Sequence, residues 1–479
     1  MRQHSPVSVL TPVFFVLALI VSSGAAQAQT VDDADSLVDA LREASPGDVV
    51  ELMPGEYHLS QRVTLRHGGD VDAPITVRPL IPGEAVLHTN LTTLFKIYEP
   101  YWQFAGLDFQ GGSSANHAFH VVQDAHHTVL EGNRFQNFHS AVKGNGEGDP
   151  RRFPDDVRIT RNVFVNDAPR DTRWPVVAID VVGGHGWQIE KNFIADIAQA
   201  RDGRHGSPGF VKGGARGAVF DSNVVICEWR HQGNPRIGLS LGGGGTSAGV
   251  FDRRDMEGCK DDCPEVRDSQ MTNNVILNCP EEPGIYLNKA RDSLVANNTI
   301  YGAFGIQARF PQTQATVQDN LLTGTIWERD GGQVQAENNV DTGWFDSASY
   351  IPGLKHHLTH RISDYHVLYP SWISESNVRW AQQRIRAIAD WATGSFLGQR
   401  PKPFKNWFVA PDAGDFRMMG NADQIIRAGT RPPLVAHDFC GNPRDGVADV
   451  GAIQYGAGGC HLLEELVERH GQFFTDLNP

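Results

Sequence analysis

One short pattern governs what this chain can fold into: an apolar residue, two variable residues, Asn, one variable residue, then another apolar residue. Its copies read LEGNRF, ITRNVF, IEKNFI, FDSNVV, MTNNVI, VANNTI and VQDNLL, with the Asn at Asn133, Asn162, Asn192, Asn223, Asn274, Asn298 and Asn320. The copies are separated by 29, 30, 31, 51, 24 and 22 residues. Each interval holds a few short strands and turns but is too short for a strand-helix-strand crossover with its loops, and this is the period range of a solenoid. Asn tolerates positive φ better than any other residue with a side chain, so the expected place for it is a sharp turn. Stacked at the same bend of successive coils, the amides would bond one another and satisfy buried turn groups. The expected fold is all-β: a right-handed parallel β-helix with an internal Asn ladder.

The ends have other tasks. Arg2, an apolar run from Val7 to Val21 and Ala26-Gln27-Ala28 have the form of a secretory signal peptide over residues 1–28. No later stretch is apolar for about 18 residues, so the expected product is a periplasmic or secreted protein without a membrane span. Residues Asp32 to Ala44 form an amphipathic helix that ends at Ser45-Pro46-Gly47. An open solenoid end exposes strand edges and apolar core, which such a helix can cover. The β-helix is expected over residues 29–340, with 341–479 as a C-terminal cap and tail that includes a helical stretch at Trp380 to Trp391.

Six cysteines in an oxidising compartment act as local staples in a chain of this length. Cys227 and Cys279 follow their ladder Asn by four and five residues in adjacent coils and can face each other. Cys259 and Cys263 fall in the one oversized repeat, and Cys440 and Cys460 in the tail. The formal charge of −14 disfavours nucleic acid as a partner. A polyanion would need a locally basic groove.

Each coil carries a further strand: AFHV, AVKGN, VVAIDVVGG, GFVKGG, RIGLSLGG, GIYLNKA and GIQARF. Side chains of a strand alternate between faces, and coils stack at about 4.8 Å. With Phe119, Val142, Ile179, Val211, Leu239, Leu287 and Ala308 inward, one outward column is expected from His120, Lys143, Asp180, Lys212, Ser240, Asn288 and Arg309. Its spacing suits an extended polysaccharide. Arg216, His231, Arg236, Tyr286 and Lys289 would line its sides. Gly213-Gly214 after Lys212, and the glycines after Leu241, suggest backbone that a ligand can approach.

At this point the chain resembles the β-helical polysaccharide lyases of the chondroitinase B and alginate lyase type. The opening PGDVVELMPGEYHL, APITVRP, GEAVLHT and YWQFAGLDF is similar to that family's first coils, and FVKGGARGAVFDSNVV to its catalytic-lysine segment; the likeness spans about residues 35 to 310. The resemblance implies a lysine base that removes the proton beside a uronate carboxylate, an assisting Arg one coil later, and calcium in many members. Lys212 matches the base. The Arg position falls near Ser240-Leu241-Gly242 and holds no Arg, which leaves Arg216, Arg236 and His231 as substitutes on the flanks. Asp180 is the column's only oxygen ligand for calcium, and a salt bridge to the lysine is the competing role.

Two alternatives remain at this level. A glycoside hydrolase normally uses two carboxylates, and the column offers Asp180 alone, although Gly184-His185-Gly186 resembles a fragment of the polygalacturonases. A non-catalytic carbohydrate-binding or surface β-helix protein would use the column as a binding stripe. The expected partner in each case is a polysaccharide, handled by a monomer.

Overall fold

A computed structural model describes residues 28–201, 206–231, 237–243, 253–255, 263–279, 282–341, 404–410 and 415–456. The signal-peptide segment, Arg236, Cys259, Cys460 and the Trp380 to Trp391 stretch lie outside these.

The described chain is a right-handed parallel β-helix of three sheets with 14, 11 and 10 strands. In each turn a first-sheet strand (Arg158–Thr160, for example) leads through the ladder Asn to a second-sheet strand (Val163–Val165). The chain then crosses to a third-sheet strand (Val176–Val182) and returns. Adjacent coils pair in parallel, as Ile159 with Ile189 in the first sheet and Phe164 with Ile194 in the second. One helix, Ala34–Glu43, starts at a capping box in which Asp33 accepts from the Ser36 N–H at 2.7 Å. It buries Leu37, Val38 and Leu41 on the first coil. The interior is filled by stacked aromatic and branched residues; Phe109, Phe135 and Phe164 lie ring on ring at 5.1 and 4.8 Å.

The ladder is continuous. Asn162 donates both its backbone N–H and its Nδ2 to Oδ1 of Asn192, at 2.9 and 3.1 Å, and its Nδ2 also reaches the Leu130 carbonyl at 2.8 Å. The same three hydrogen bonds recur through Asn223, Asn274, Asn298 and Asn320 to an eighth rung, Asn339. The left-handed residue is not the ladder Asn itself but the one before it: Gly132, Arg161, Lys191, Ser222, Asn273, Asn297, Asp319 and Asn338 have φ between 51° and 62°. The amide therefore sits inside the bend made by its neighbour, fully buried in the central rungs.

Cys227 and Cys279 form a disulfide between adjacent coils, and Cys263 and Cys440 are also disulfide-bonded. Residues of the tail cover the outside of the second sheet. Trp407, Phe408, Ile425, Phe439 and Val450 pack on Val163, Phe193, Val224, Val275 and Leu321. Arg444, 4% exposed, fastens this layer through the carbonyls of Gly451 and Ala452 and Oδ1 of Asn273. The described tail residues thus occupy the outer face of the second sheet. Among the described residues no helix is long and apolar enough to cross a membrane.

Asn223→Ala removes the acceptor for two donors of Asn192 and the donor to the Ile189 carbonyl. Each buried group left unpaired costs about 1–3 kcal/mol, so this variant is expected to lose about 3 kcal/mol or more in denaturant melts. Asn339→Ala, at the half-buried last rung, is expected to lose less than half of that. Equal losses would contradict the account of the ladder.

Candidate functional site

Strands of the third sheet present two outward rows, not one. His120 pairs with Lys143, and Lys143 with Asp180. The next residue in that row is Phe210 rather than Lys212, followed by Ser240, Tyr286 and Gln307. Lys212 lies two residues further along its strand, level with Val182, in the row that continues to Asn288 and Arg309. The slip has a physical cause. Val142-Lys143-Gly144 and Val211-Lys212-Gly213 are the same local pattern, and a displacement of two preserves which side chains face out. The expected inward residues do face the core, in two rows, with Val211 beside Val181 and Ile179 beside Gly209.

The centre of this face is a cluster of charges. Asp180 Oδ2 accepts from Lys143 Nζ at 2.5 Å, with side chains 17% and 19% exposed. The salt bridge expected for Asp180 is thus made with Lys143, not Lys212. Burial would raise the Asp180 carboxyl, but the charges of Lys143 and Lys212 and the bond from Lys143 outweigh it and hold it below its ordinary value. Burial pulls the Lys143 ammonium down; Asp180 opposes that and the charge of Lys212 adds to it. Both partners therefore titrate lower, Lys143 through burial and Asp180 through the nearby ammonium charges. Asp180 Oδ1 is buried and has no hydrogen-bond partner, which leaves an acceptor aimed at whatever covers the pair.

Lys212 itself has no carboxylate within ion-pair distance among the described residues. Its Nζ lies over the Phe210 ring, 4.2 Å from the centroid. On the other side of the pair, His120 meets Asn145 Oδ1 at 2.8 Å and His117 meets the Ser140 carbonyl at 2.8 Å. Burial lowers His117 to about 4 and His120 to about 3, so both imidazoles are neutral near pH 7. Lys96, Tyr98 and Glu147 close this end through contacts of 2.7 and 3.2 Å.

Other expected residues are placed differently. Ser240 is 2% exposed and its hydroxyl bonds the carbonyls of Gly242 and Tyr286. Tyr286 is 7% exposed, and its hydroxyl accepts from Asn288 at 3.0 Å and from Arg309 at 3.4 Å. Neither is a free sugar platform. Arg309 is held by Asp330 at 2.6 Å and lies over Phe310, as does Lys289 at 5.7 Å. His231 sits at the opposite margin of the sheet, against the Asn166 carbonyl at 3.2 Å, with the length of a third-sheet strand between it and Lys212. Arg216 lies past the turn, bound to Asp268 at 2.6 Å. Trp174 is 60% exposed beside the third-sheet margin, with Arg173 over its ring.

The Gly213-Gly214 turn serves packing rather than ligand approach. A Cβ on Gly214 would meet the Arg254 nitrogen at 2.8 Å, and the Arg253 N–H donates to the Gly213 carbonyl at 2.9 Å. This seat brings the short Arg253–Asp255 segment of the oversized repeat against the end of the Lys212 strand. Arg253 crosses the Phe153 ring at 4.7 Å and binds Asp155 at 3.0 Å, while its Nη1 is buried without a partner. Arg254 pairs with Glu265, whose Oε2 also accepts from the Gly243 N–H at 3.2 Å. Gly243 in turn lies beside the Lys212 stem. No repeat register identifies these two arginines in the sequence, because they come from an insertion outside the repeat; their signal is only that the one long interval is rich in charge.

The described residues around Asp180 offer one carboxylate and two ammonium groups, a donor set that does not suit calcium. Among the described residues no group of three or more His, Cys, Asp or Glu side chains is placed to hold a metal ion.

No protein-family model matches the chain, and no curated protein matches it. Solved structures do. The chain superposes on the pectate lyase Pel9A with a TM-score of 0.50 at 16% identity, over 87% of this chain and 90% of that one. An alginate lyase from Paenibacillus sp. str. FPU-7 matches at 15% identity and a TM-score of 0.40, over 66% and 95% of the two chains. The GH136 lacto-N-biosidase from Eubacterium ramulus matches at 12% and 0.45, over 66% and 67%. The fold, a right-handed parallel β-helix, is the one shared with Pel9A.

Proposed function

We propose that this protein is a polysaccharide lyase that cleaves a uronate-containing polymer by β-elimination on the outer face of the third sheet. The observation that carries the reading is the unequal use of two lysines around Asp180. Lys143 is bound to the carboxylate at 2.5 Å, whereas Lys212 rests on an aromatic ring without a carboxylate partner among the described residues. An amine that is not committed to an ion pair is what a proton acceptor requires. The pectate lyase likeness supports the fold on which this chemistry is placed, and the resemblance of FVKGGAR to a catalytic-lysine segment supports the role of Lys212.

In this mechanism the Lys212 amine takes the C5 proton of a uronate. The electron pair left at C5 delocalises into the carboxylate and then forms the C4–C5 double bond as the bond from C4 to the glycosidic oxygen breaks, and the leaving oxygen takes a proton from water. Negative charge builds on the carboxylate in between, and cations fixed beforehand stabilise it. Lys143 is in place within the face, and Arg253 and Arg254 are brought to its edge by the insertion. They take the part of the arginine that the Ser240-Leu241-Gly242 coil lacks. Trp174 at the margin offers a surface for stacking. A hydrolase would need a second carboxylate across the bond, and in the described outward row Asp180 is already bound to Lys143.

The test is ultraviolet absorbance of the unsaturated uronate across alginates, pectates and glycosaminoglycans, with and without added calcium. Wild-type protein is expected to give a rise on one class, and Lys212→Ala to lower the rate at least a thousandfold with its melting temperature preserved. No rise on any polymer while one of them still binds would replace the lyase reading by a non-catalytic binding role.

The same face sets an acid limit. The unfolded chain protonates His117 and His120 near 6.5, while the folded chain resists until about 4 and about 3. Their folded values are depressed, so the stability they allow is complete above about 6.5 and falls as pH drops toward 4. Urea melts at pH 7.5, 6 and 5 are expected to show this decline, and His120→Gln to make it shallower. An unchanged slope in His120→Gln would contradict the burial of a neutral imidazole there.

A further inference from the structure

A second row of cations runs along the corner between the third and first sheets, beyond the Gly213-Gly214 turn. His185 bridges to Arg216, Arg216 pairs in register with Arg267, and Arg267 with Arg291, so that successive coils each contribute one. The row then turns neutral at Gln314. Like charges directly opposite on neighbouring strands destabilise a sheet, and this protein is acidic overall. The compensation is incomplete. Asp268 binds Arg216 at 2.6 Å, but Arg267 and Arg291 have no carboxylate within ion-pair distance among the described residues, and Arg291 Nε is buried with no partner. Beside Arg216 and Arg267 lies a cleft of about 350 Å³, lined also by His185, Gly214, Asp268 and Asp292, and Arg291 follows on the next strand, outside the lining. The Arg253–Asp255 segment, seated on Gly214, separates the cleft from the Lys212 face.

We infer that this cleft, together with Arg291 on the strand beyond it, is an accessory binding site for an acidic oligosaccharide, with one anionic group taken by Arg267 in the cleft and the next by Arg291 beside it. The coil spacing of about 4.8 Å places successive guanidinium groups at intervals suited to charges repeated along a sugar chain, and a guanidinium binds either a carboxylate or a sulfate through paired N–H donors. Asp268 and Asp292 at the margin can accept sugar hydroxyls. This inference rests on the reading that the chain handles acidic polysaccharide, but not on catalysis: the site binds whether or not Lys212 removes a proton.

The experiment is calorimetric titration of the full chain carrying Lys212→Ala, which keeps substrate intact, with tetragalacturonate in one arm and a chondroitin sulfate tetrasaccharide in the other. Adding Arg267→Gln is expected to weaken binding about tenfold, the cost of one charge-assisted bond pair, and Arg291→Gln to weaken it further, with unchanged melting temperatures. Loss in one arm only would identify the anion as carboxylate or sulfate. Undiminished binding in a folded Arg267→Gln, Arg291→Gln protein would overturn the inference, as would the absence of binding to either sugar by the Lys212→Ala protein. A failure of the lyase reading shows separately, as no ultraviolet product from wild-type protein.

Discussion

The bend at each ladder asparagine is the constraint on which the rest of this molecule depends. A parallel β-helix must turn its backbone sharply inside its own core, where unpaired N–H and C=O groups cost free energy. Here the residue before each Asn takes the left-handed conformation, and the buried amide then answers for the backbone on both sides: it accepts from the coil before and donates to that coil's carbonyl and to the coil after. Because every rung is bonded to the next, coils cannot slip relative to one another at this corner. Insertions are therefore confined to other corners. The interval of 51 residues between Asn223 and Asn274 leaves their rung intact at 2.9 Å.

That rigidity fixes the outer faces. Where the second sheet is covered by the apolar layer of Trp407, Phe439 and Val450, the third sheet carries His117, His120, Lys143, Asp180 and Lys212 on neighbouring strands. Their positions follow from coil register rather than from flexible loops, which is how a site of this kind keeps its charges preorganised. The Lys143–Asp180 bridge at 2.5 Å keeps one lysine committed and leaves its neighbour Lys212 to other work. The insertion adds Arg253 and Arg254, anchored on Gly213 and Gly214, so the repeat supplies the floor of the face and the insertion its edge.

The ladder, the three-sheet solenoid, the capping helix and the Cys227–Cys279 bridge were all legible in the sequence, because each rests on short-range pattern or on a fixed period. The face was legible in part. Alternation along a strand identifies outward residues, and His120, Lys143 and Asp180 do stand side by side. Register along the solenoid is another matter, since buried parallel strands are apolar in both inward rows and a shift of two leaves no trace in the pattern. Lys212 therefore lies two residues along its strand from the expected row. Burial was also hidden: nothing in GIYLN shows that the Tyr286 hydroxyl is taken by Asn288 and Arg309. The Arg216, Arg267 and Arg291 row joins three stretches that share no motif, and only the register of the first sheet brings them together.

The central claim is that an acidic sugar lies across the third-sheet face with its reacting carbon at Lys212. A crystal structure of the Lys212→Ala protein with a bound uronate oligosaccharide tests it most directly. The account predicts a sugar ring over Asp180 and Phe210, its C5 facing the space vacated by the Lys212 amine and its carboxylate toward Lys143 or Arg253. An oligosaccharide seated elsewhere on the solenoid, with the third-sheet face empty, would contradict it.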